Sequence, residues 1–340
     1  MTTKFENFLN TIEEKEWLKV VSDLSSAIHE ADRDAVQIWF RFYPISLYRY
    51  LQNIDDKAVA VQKFVLQGDW ELKNQIDSSH YFLYGHRFWK VVKKAIEQRV
   101  ESFDGATDLT IEAKQLAQNV ANETKSNITL TLGISLVGLM TLAQVGLEEF
   151  KAAKGETKVT DNRTPKEIVA ERAKDDSQGM FGFLKSIDKK YTVKWADHFG
   201  NGKFAIINDE DIATASAKDQ SQNWKAKDER CWEGVVPVEC RSAACGTCWV
   251  GVLGGKEKLT EVSPREAKQM KIFGYQQPEE AQPFLRLACQ SRISGNVTIV
   301  IPPWNGVFGR KVYGVEDVEL EPATTSAKKL REIVKEATEM

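Results

Sequence analysis

The chain is 340 residues long, 42% hydrophobic and 28% charged, with a formal net charge of −3. Those proportions are ordinary for a soluble globular protein of about two domains. They exclude a chain disordered throughout and give no electrostatic case for a nucleic-acid partner.

Residues 1–154 read as an all-α domain. Segments 12–30, 31–53, 56–68 and 83–101 carry apolar residues at three- and four-residue intervals with few Gly or Pro to interrupt them. Asp32 or Asp34 is placed to cap the second segment, and Pro44 to kink it. Its aromatics Trp39, Phe40, Phe42, Tyr43, Tyr48 and Tyr50 recur at helical spacing and read as core rather than cofactor lining. His80 and His86 lie six apart, so they do not share one helix face as a metal-binding i, i+4 pair would, and they read as structural histidines.

Residues 127–147 hold no charged residue, a length that spans a bilayer. Thr129, Thr131, Ser135, Thr141 and Gln144 dilute its hydrophobicity, and no Trp or Tyr belt flanks it. The favoured reading is a buried helix at the centre of a bundle, or one packed in a homo-oligomer through the small face Thr131, Ser135 and Gly138. A membrane-associated helix is the alternative to an otherwise cytoplasmic chain.

Residues 155–188 mix a short charged helix with Gly-rich punctuation and read as a linker. A domain at 189–309 follows. Tyr191–Trp195 and Lys203–Ile207 flank Gly200-Asn-Gly202 and predict a hairpin, and Trp249–Leu253 and Val297–Ile301 predict strands. Ser263-Pro264-Arg265-Glu266 predicts a helix start with a capping box, and Gly274 its stop. The tail 310–340 is expected to hold a short charged helix over 326–338.

Within this domain the sequence reads Cys240-Arg-Ser-Ala-Ala-Cys245-Gly-Thr-Cys248, with a fourth cysteine in Arg286-Leu-Ala-Cys289-Gln. C-x4-C-x2-C followed by a distant cysteine is the spacing of four thiolates on a [2Fe–2S] cluster. Between the ligands Ser242, Ala243, Ala244, Gly246 and Thr247 are small. With Arg241 they form a loop whose backbone N–H groups can turn inward as a nest for sulfide and thiolate sulfurs. A zinc ribbon would need a second Cys-x2-Cys knuckle, which the sequence lacks. Disulfides are disfavoured because no signal peptide opens the chain and a chain this long needs no staples. Cys231 lies outside the pattern and reads as a buried structural thiol.

These two motifs make residues 189–305 resemble the plant-type [2Fe–2S] ferredoxin family, whose fold is a β-grasp. The Arg-Leu-Ala-Cys-Gln context is similar to the adrenodoxin-like branch. The resemblance implies that Cys240 and Cys245 hold one iron, that Cys248 and Cys289 hold the other, and that the first iron takes the extra electron. The expected class is therefore α+β: a helical domain followed by a β-grasp ferredoxin domain with one [2Fe–2S] cluster per chain.

The expected function is one-electron transfer to or from a redox partner protein, with the helical domain docking to a partner, a membrane complex or a second copy. Arg241, Ser242 and Trp249 are candidates for the electron's exit route. A redox sensor whose cluster state controls association is the second reading. No G-x-G-x-x-G follows a strand, and Gly251-Val-Leu-Gly-Gly-Lys256-Glu257 lacks the spacing of a Walker loop. An electron carrier or accessory subunit is thus favoured over a self-contained enzyme. Segment 189–310 holds 17 Lys and Arg against 14 Asp and Glu, so it is not the acidic surface of photosynthetic ferredoxins.

Overall fold

The computed structural model describes residues 2–105, 107–157, 159, 161–174, 189–276 and 283–315. In chain order these form α1 (Lys4–Thr11), α2 (Glu14–Asp23), α3 (Glu30–Phe42), α4 (Ile45–Gln52), α5 (Lys57–Lys63), β1 (Gln67–Gly68), α6 (Trp89–Ser102), α7 (Leu109–Thr124), α8 (Ile128–Val145), α9 (Leu147–Ala152) and α10 (Pro165–Arg172). Then come β2 (Lys190–Asp197), β3 (Gly200–Ile207), α11 (Ile212–Ala217), α12 (Trp224–Lys227), β4 (Trp249–Gly254), α13 (Pro264–Phe273), β5 (Leu285–Leu287), β6 (Val297–Val300), β7 (Trp304–Asn305) and α14 (Gly309–Val312). The class is α+β. Residues 175–188 of the expected linker and the expected helix at 326–338 lie outside the described residues.

The chain forms two compact units, Met1–Asp55 with Glu71–Glu171, and Asp56–Trp70 with Arg172–Met340. Sequence periodicity assigned 56–68 to the helical domain. Here α5 ends at Lys63, Val65 takes φ +50°, and the chain enters β1, which pairs antiparallel with β7 in the second unit.

The first unit is helical, and α8 is its centre. α8 packs against α1, α3, α4, α6, α7 and α9, and 78% of this span, whose mean hydropathy is 1.8, is buried. By length and composition α8 could cross a membrane. The expected small face serves the unit itself: Thr131 Oγ1 donates to Ala117 O at 2.8 Å, and Gly138 lies against Trp89, Val92 and Ile96. α3 buries Ala31, Ala35, Val36, Ile38, Trp39 and Phe42 along one stripe, each large side chain contributing about 1.5–3 kcal/mol of transfer free energy.

Two expectations fail at α3. His29 caps it through Nδ1, which accepts from Ala31 N at 3.1 Å. Asp32 instead accepts from Tyr84 N at 2.5 Å and Gly85 N at 2.8 Å, fastening the 84–88 turn onto the helix. Pro44 separates α3 from α4 rather than kinking one helix, because its ring disfavours a helical residue before it. The histidines also meet. The turn between them brings His80 Nδ1 within 2.8 Å of His86 Nδ1, with the Trp89 ring 4.2 Å from His80.

The second unit holds a five-stranded sheet of order β3-β2-β6-β4-β5. β2 pairs antiparallel with β3 and parallel with β6, and β4 runs antiparallel to both β6 and β5. The hairpin turn is at His198–Phe199, not at Gly200-Asn-Gly202, because Asp197 Oδ1 accepts from Phe199 N at 2.8 Å and Gly200 N at 2.7 Å and closes it early. α13 starts as expected, with Ser263 Oγ accepting from Glu266 N at 3.1 Å, and stops at Gly274 with φ +99°. The Glu266 side chain does not complete the capping box; it turns into the core toward Arg286.

Candidate metal centre

The ligand loop runs from α12 to β4 and turns tightly because non-glycine residues adopt left-handed backbone: Arg241 at φ +55° and Ala243 at φ +57°. Gly246 follows at φ +77°, where a Cβ would meet the Phe273 ring at 2.9 Å. Alternating hand along a short loop points successive N–H groups to one side. Ser242 N and Ala244 N donate to Cys240 Sγ at 3.4 and 3.2 Å. The nearby Ala243 N–H favours the Cys289 thiolate, and the Thr247 N–H and hydroxyl favour that of Cys245. Ser242 Oγ is buried with no hydrogen-bond partner and lies close enough to help lower Cys240.

The four cysteines converge as two pairs. Cys240 interacts with Cys245, and Cys248 with Cys289, and these are the pairs that the ferredoxin resemblance implies. Among the described residues no three Cys, His, Asp or Glu side chains close on a single point. Paired sulfurs suit an object with two metal atoms better than one tetrahedral ion, which needs its donors around one centre.

Electrostatics argue the same way. Interaction with Cys245 and the donated amides draw Cys240 down to about 5, while Cys245 is driven up by that same interaction and by burial. Cys248 is pushed up and Cys289 drawn down within their own pair. Four thiolates cannot all ionise here unaided; metal cations would supply the missing positive charge, and a coordinating thiol is deprotonated outright. The donor set and its amide cradle therefore fit a [2Fe–2S] group.

The pairs differ in exposure. Cys248 and Cys289 are buried, whereas Cys240 and Cys245 are half-buried and Ala244 between them is exposed. Of the exit candidates, Arg241 is tied down by an ion pair with Glu233 and by donation to Thr214 Oγ1 at 2.8 Å. Trp249 is fully buried and cannot form a surface exit. Among the described residues Trp232 is an exposed indole, at 63%, with Lys225 Nζ 4.3 Å from its ring centroid. Cys231 stays out of the group: its thiol donates to Val235 O at 3.2 Å, and burial pushes it up to about 12.

A supporting layer was not evident from the motif. Arg286 and Glu266 form a buried two-bond ion pair at 2.9 and 3.0 Å, Glu266 Oε1 also accepts from Leu287 N at 2.9 Å, and Arg286 donates to Thr260 O at 2.7 Å. Tyr275 is buried and stacks on Trp249 with ring centroids 3.8 Å apart. Its hydroxyl lies 2.6 Å from Gly246 O and 3.1 Å from Gly306 O. Glu266 was legible only as a helix cap, and nothing in the local sequence marks Tyr275.

Four cysteines at this spacing beside an amide-lined loop are the donor set of a ferredoxin-type iron–sulfur unit. Residues 207–294 match the family described as 2Fe-2S iron-sulfur cluster binding domain, a stretch that includes the ligand loop, Cys289 and α13 but leaves out α5, β1, β2, β6 and β7. The chain thus carries a 2Fe–2S ferredoxin-type domain in its C-terminal half, a metal-binding, electron-transport module. No curated protein matches the chain.

Proposed function

We propose that the chain is a one-electron carrier or redox subunit in which Cys240, Cys245, Cys248 and Cys289 ligate a single [2Fe–2S] cluster. The observation that carries this reading is the arrangement of the sulfurs as two pairs, one buried and one half-exposed under a cradle of inward N–H groups. The cluster, when bound, supplies reversible one-electron chemistry. The chain's own residues do the rest. Ser242 and Ala244 donate to Cys240 Sγ and, with Ala243 and Thr247 beside the other sulfurs, favour the more negative, reduced state. Cys248 and Cys289 keep water from one end, while the loop at Ala244 leaves the other open to a redox partner protein. Trp232, with Lys225 on its face, is the aromatic anchor we assign to that contact.

We read the sheet order, with its parallel β2–β6 pair and α13 crossing between β4 and β5, as a β-grasp of the plant-type or adrenodoxin-like kind. An EPR-monitored redox titration of protein purified without oxygen, with iron and acid-labile sulfide measured on the same sample, tests the reading. Two irons, two sulfides and a rhombic signal from one unpaired electron per chain are expected. Zinc in their place would leave a structural metal domain.

A further inference from the structure

The residues matched by the iron–sulfur family do not complete this site. Behind the ligand loop lies a strap, residues 64–70, which the chain supplies from between two segments of the helical unit. The strap is built into the second unit by backbone bonds. Val307 N donates to Phe64 O at 2.6 Å, Asp69 N donates to Pro303 O at 2.9 Å, and β1 pairs with β7 through Gln67–Asn305 and Gly68–Trp304. Gly68 has φ +75°, and a Cβ there would meet Pro303 O at 2.3 Å. Val65 is β-branched at φ +50°, a costly conformation held only where the surroundings over-determine it.

Three contacts run from this assembly to the ligand loop. Gln67 Nε2 lies 3.5 Å from Glu239 Oε1, on the residue before Cys240. Trp304 O accepts from the indole of Trp249, the residue after Cys248, at 3.0 Å. The Tyr275 hydroxyl bridges Gly246 O, inside the loop, to Gly306 O, and accepts from Gly306 N at 3.3 Å. Gly306 in turn sits against the Leu66 side chain. The two outer contacts flank the ligand run, and the third holds its middle.

We propose that the strap, acting through β7 and Tyr275, is a positioning element for the cluster-ligand loop, so that a segment embedded in the helical half of the sequence is part of the iron–sulfur site. The proposal rests on the cluster reading above. None of these residues touches the cluster sulfurs; each sets the loop that does. Loss of the Tyr275 hydroxyl leaves the Gly246 carbonyl without its donor and the Gly306 N–H without its acceptor, and loosening β1 removes the wall on which Trp304 and Gly306 rest.

The test uses the full chain, loaded with cluster, and the variants Tyr275→Phe, Gln67→Ala and Gly68→Ala. Gly202→Ala serves as a steric control in the same unit, since its Cβ would meet the Trp195 ring at 2.6 Å in the β2–β3 hairpin, outside residues 64–70. The readouts are the rate of iron loss to an excess of a ferrous chelator and the EPR g-values of the reduced protein. Iron and sulfide in the unmodified protein are measured first; their absence would end the cluster reading itself and this proposal with it. Iron loss about tenfold faster in Tyr275→Phe and Gly68→Ala, with shifted g-values, is expected, while Gly202→Ala stays within twofold with g-values unchanged. Gln67→Ala, which removes only side-chain bonds, carries the test if Gly68→Ala does not fold, and is expected to change the rate in the same direction. Rates within twofold of the unmodified protein in the strap variants would overturn the proposal. Equal acceleration in Gly202→Ala would also overturn it, because the strap would then act only through general stability.

Discussion

The two units treat buried polar groups in opposite ways. In the helical unit several such groups close on partners from the same unit: Asp32 on two backbone N–H groups, Trp39 Nε1 on Ser79, Gln144 on Tyr43 O, His80 Nδ1 on His86. In the second unit the inward N–H groups of the ligand loop end on thiol sulfurs that cannot all ionise together. Those pairings stand without any added ion, whereas the second set is built around charge that metal must bring. The contrast separates a scaffold from a site.

The largest expected effect breaks one side of that contrast and spares the other. Cys248→Ala or Cys289→Ala removes half of the buried sulfur pair, and we expect iron and sulfide to fall to background, with the visible absorption of the cluster lost. Circular dichroism at 222 nm should stay near its original value, since α1–α4 and α6–α10 contain no ligand. Retention of full iron in either variant would sink the assignment of ligands.

Next is the buried ion pair that braces the fourth ligand. Arg286→Leu leaves Glu266 1% exposed with its charge unpaired, a defect that costs about 3–5 kcal/mol. The double variant Arg286→Leu with Glu266→Leu should recover most of the loss, because it removes both charges together. Urea unfolding followed by the visible absorption measures both. A single variant as stable as the original would show that the pair is not the brace its geometry indicates.

The ligand loop was legible because its chemistry is local: Cys240, Cys245 and Cys248 lie within nine consecutive residues, so covalent spacing alone limits what they can do. The hairpin, β4, β6, α13 and α8 were legible for a similar reason, since periodicity and caps are short-range signals. What escaped was tertiary. Asp32 had the composition of a helix cap, but its partners are Tyr84 and Gly85, far along the chain. Strap residues 64–70 follow a helical stretch and carry no strand pattern of their own; β7 makes β1 a strand. His80 and His86 failed the test of shared helix face and meet only because the chain between them is a turn. Trp249 sits beside a ligand in sequence, which makes it an exit candidate there, while the fold buries it and leaves Trp232 exposed.

The histidine pair allows the comparison to be sharpened by pH. Burial drives His80 well below its ordinary value, and burial, partly offset by Asp77, lowers His86 to about 4. Both are therefore neutral in the folded state, while an unfolded histidine titrates near about 6.5. Above that pH neither state binds a proton and the pair costs nothing. As pH falls below it the unfolded state takes up protons that the folded state refuses, so stability drops until His86 titrates in the folded protein. The loss from His86 is on the order of 2 kcal/mol at pH 5. Urea unfolding of the helical unit at pH 7 and pH 5, followed by helicity, should show that decline, and His86→Phe should flatten it. A midpoint unchanged between the two pH values would mean that the buried pair is not neutral.

The smallest effect compares two strained residues, one in each unit. Lys125 ends α7 in the left-handed region at φ +52°, and Val65 enters the strap at φ +50°. Lys125 stands at a helix C-terminus, where glycine is the usual occupant, so Lys125→Gly should stabilise the helical unit by about 0.5–1 kcal/mol. Val65 is half exposed, so Val65→Asn gives up little burial while supplying a residue that tolerates this backbone, and a similar gain is expected in the second unit. The two gains should appear in different observables. Lys125→Gly should raise the thermal midpoint read by helicity, and Val65→Asn the midpoint read by the cluster's visible absorption. A rise of both signals together in either variant would mean that the units unfold as one, and the division between scaffold and site would then describe the native chemistry but not the way the chain comes apart.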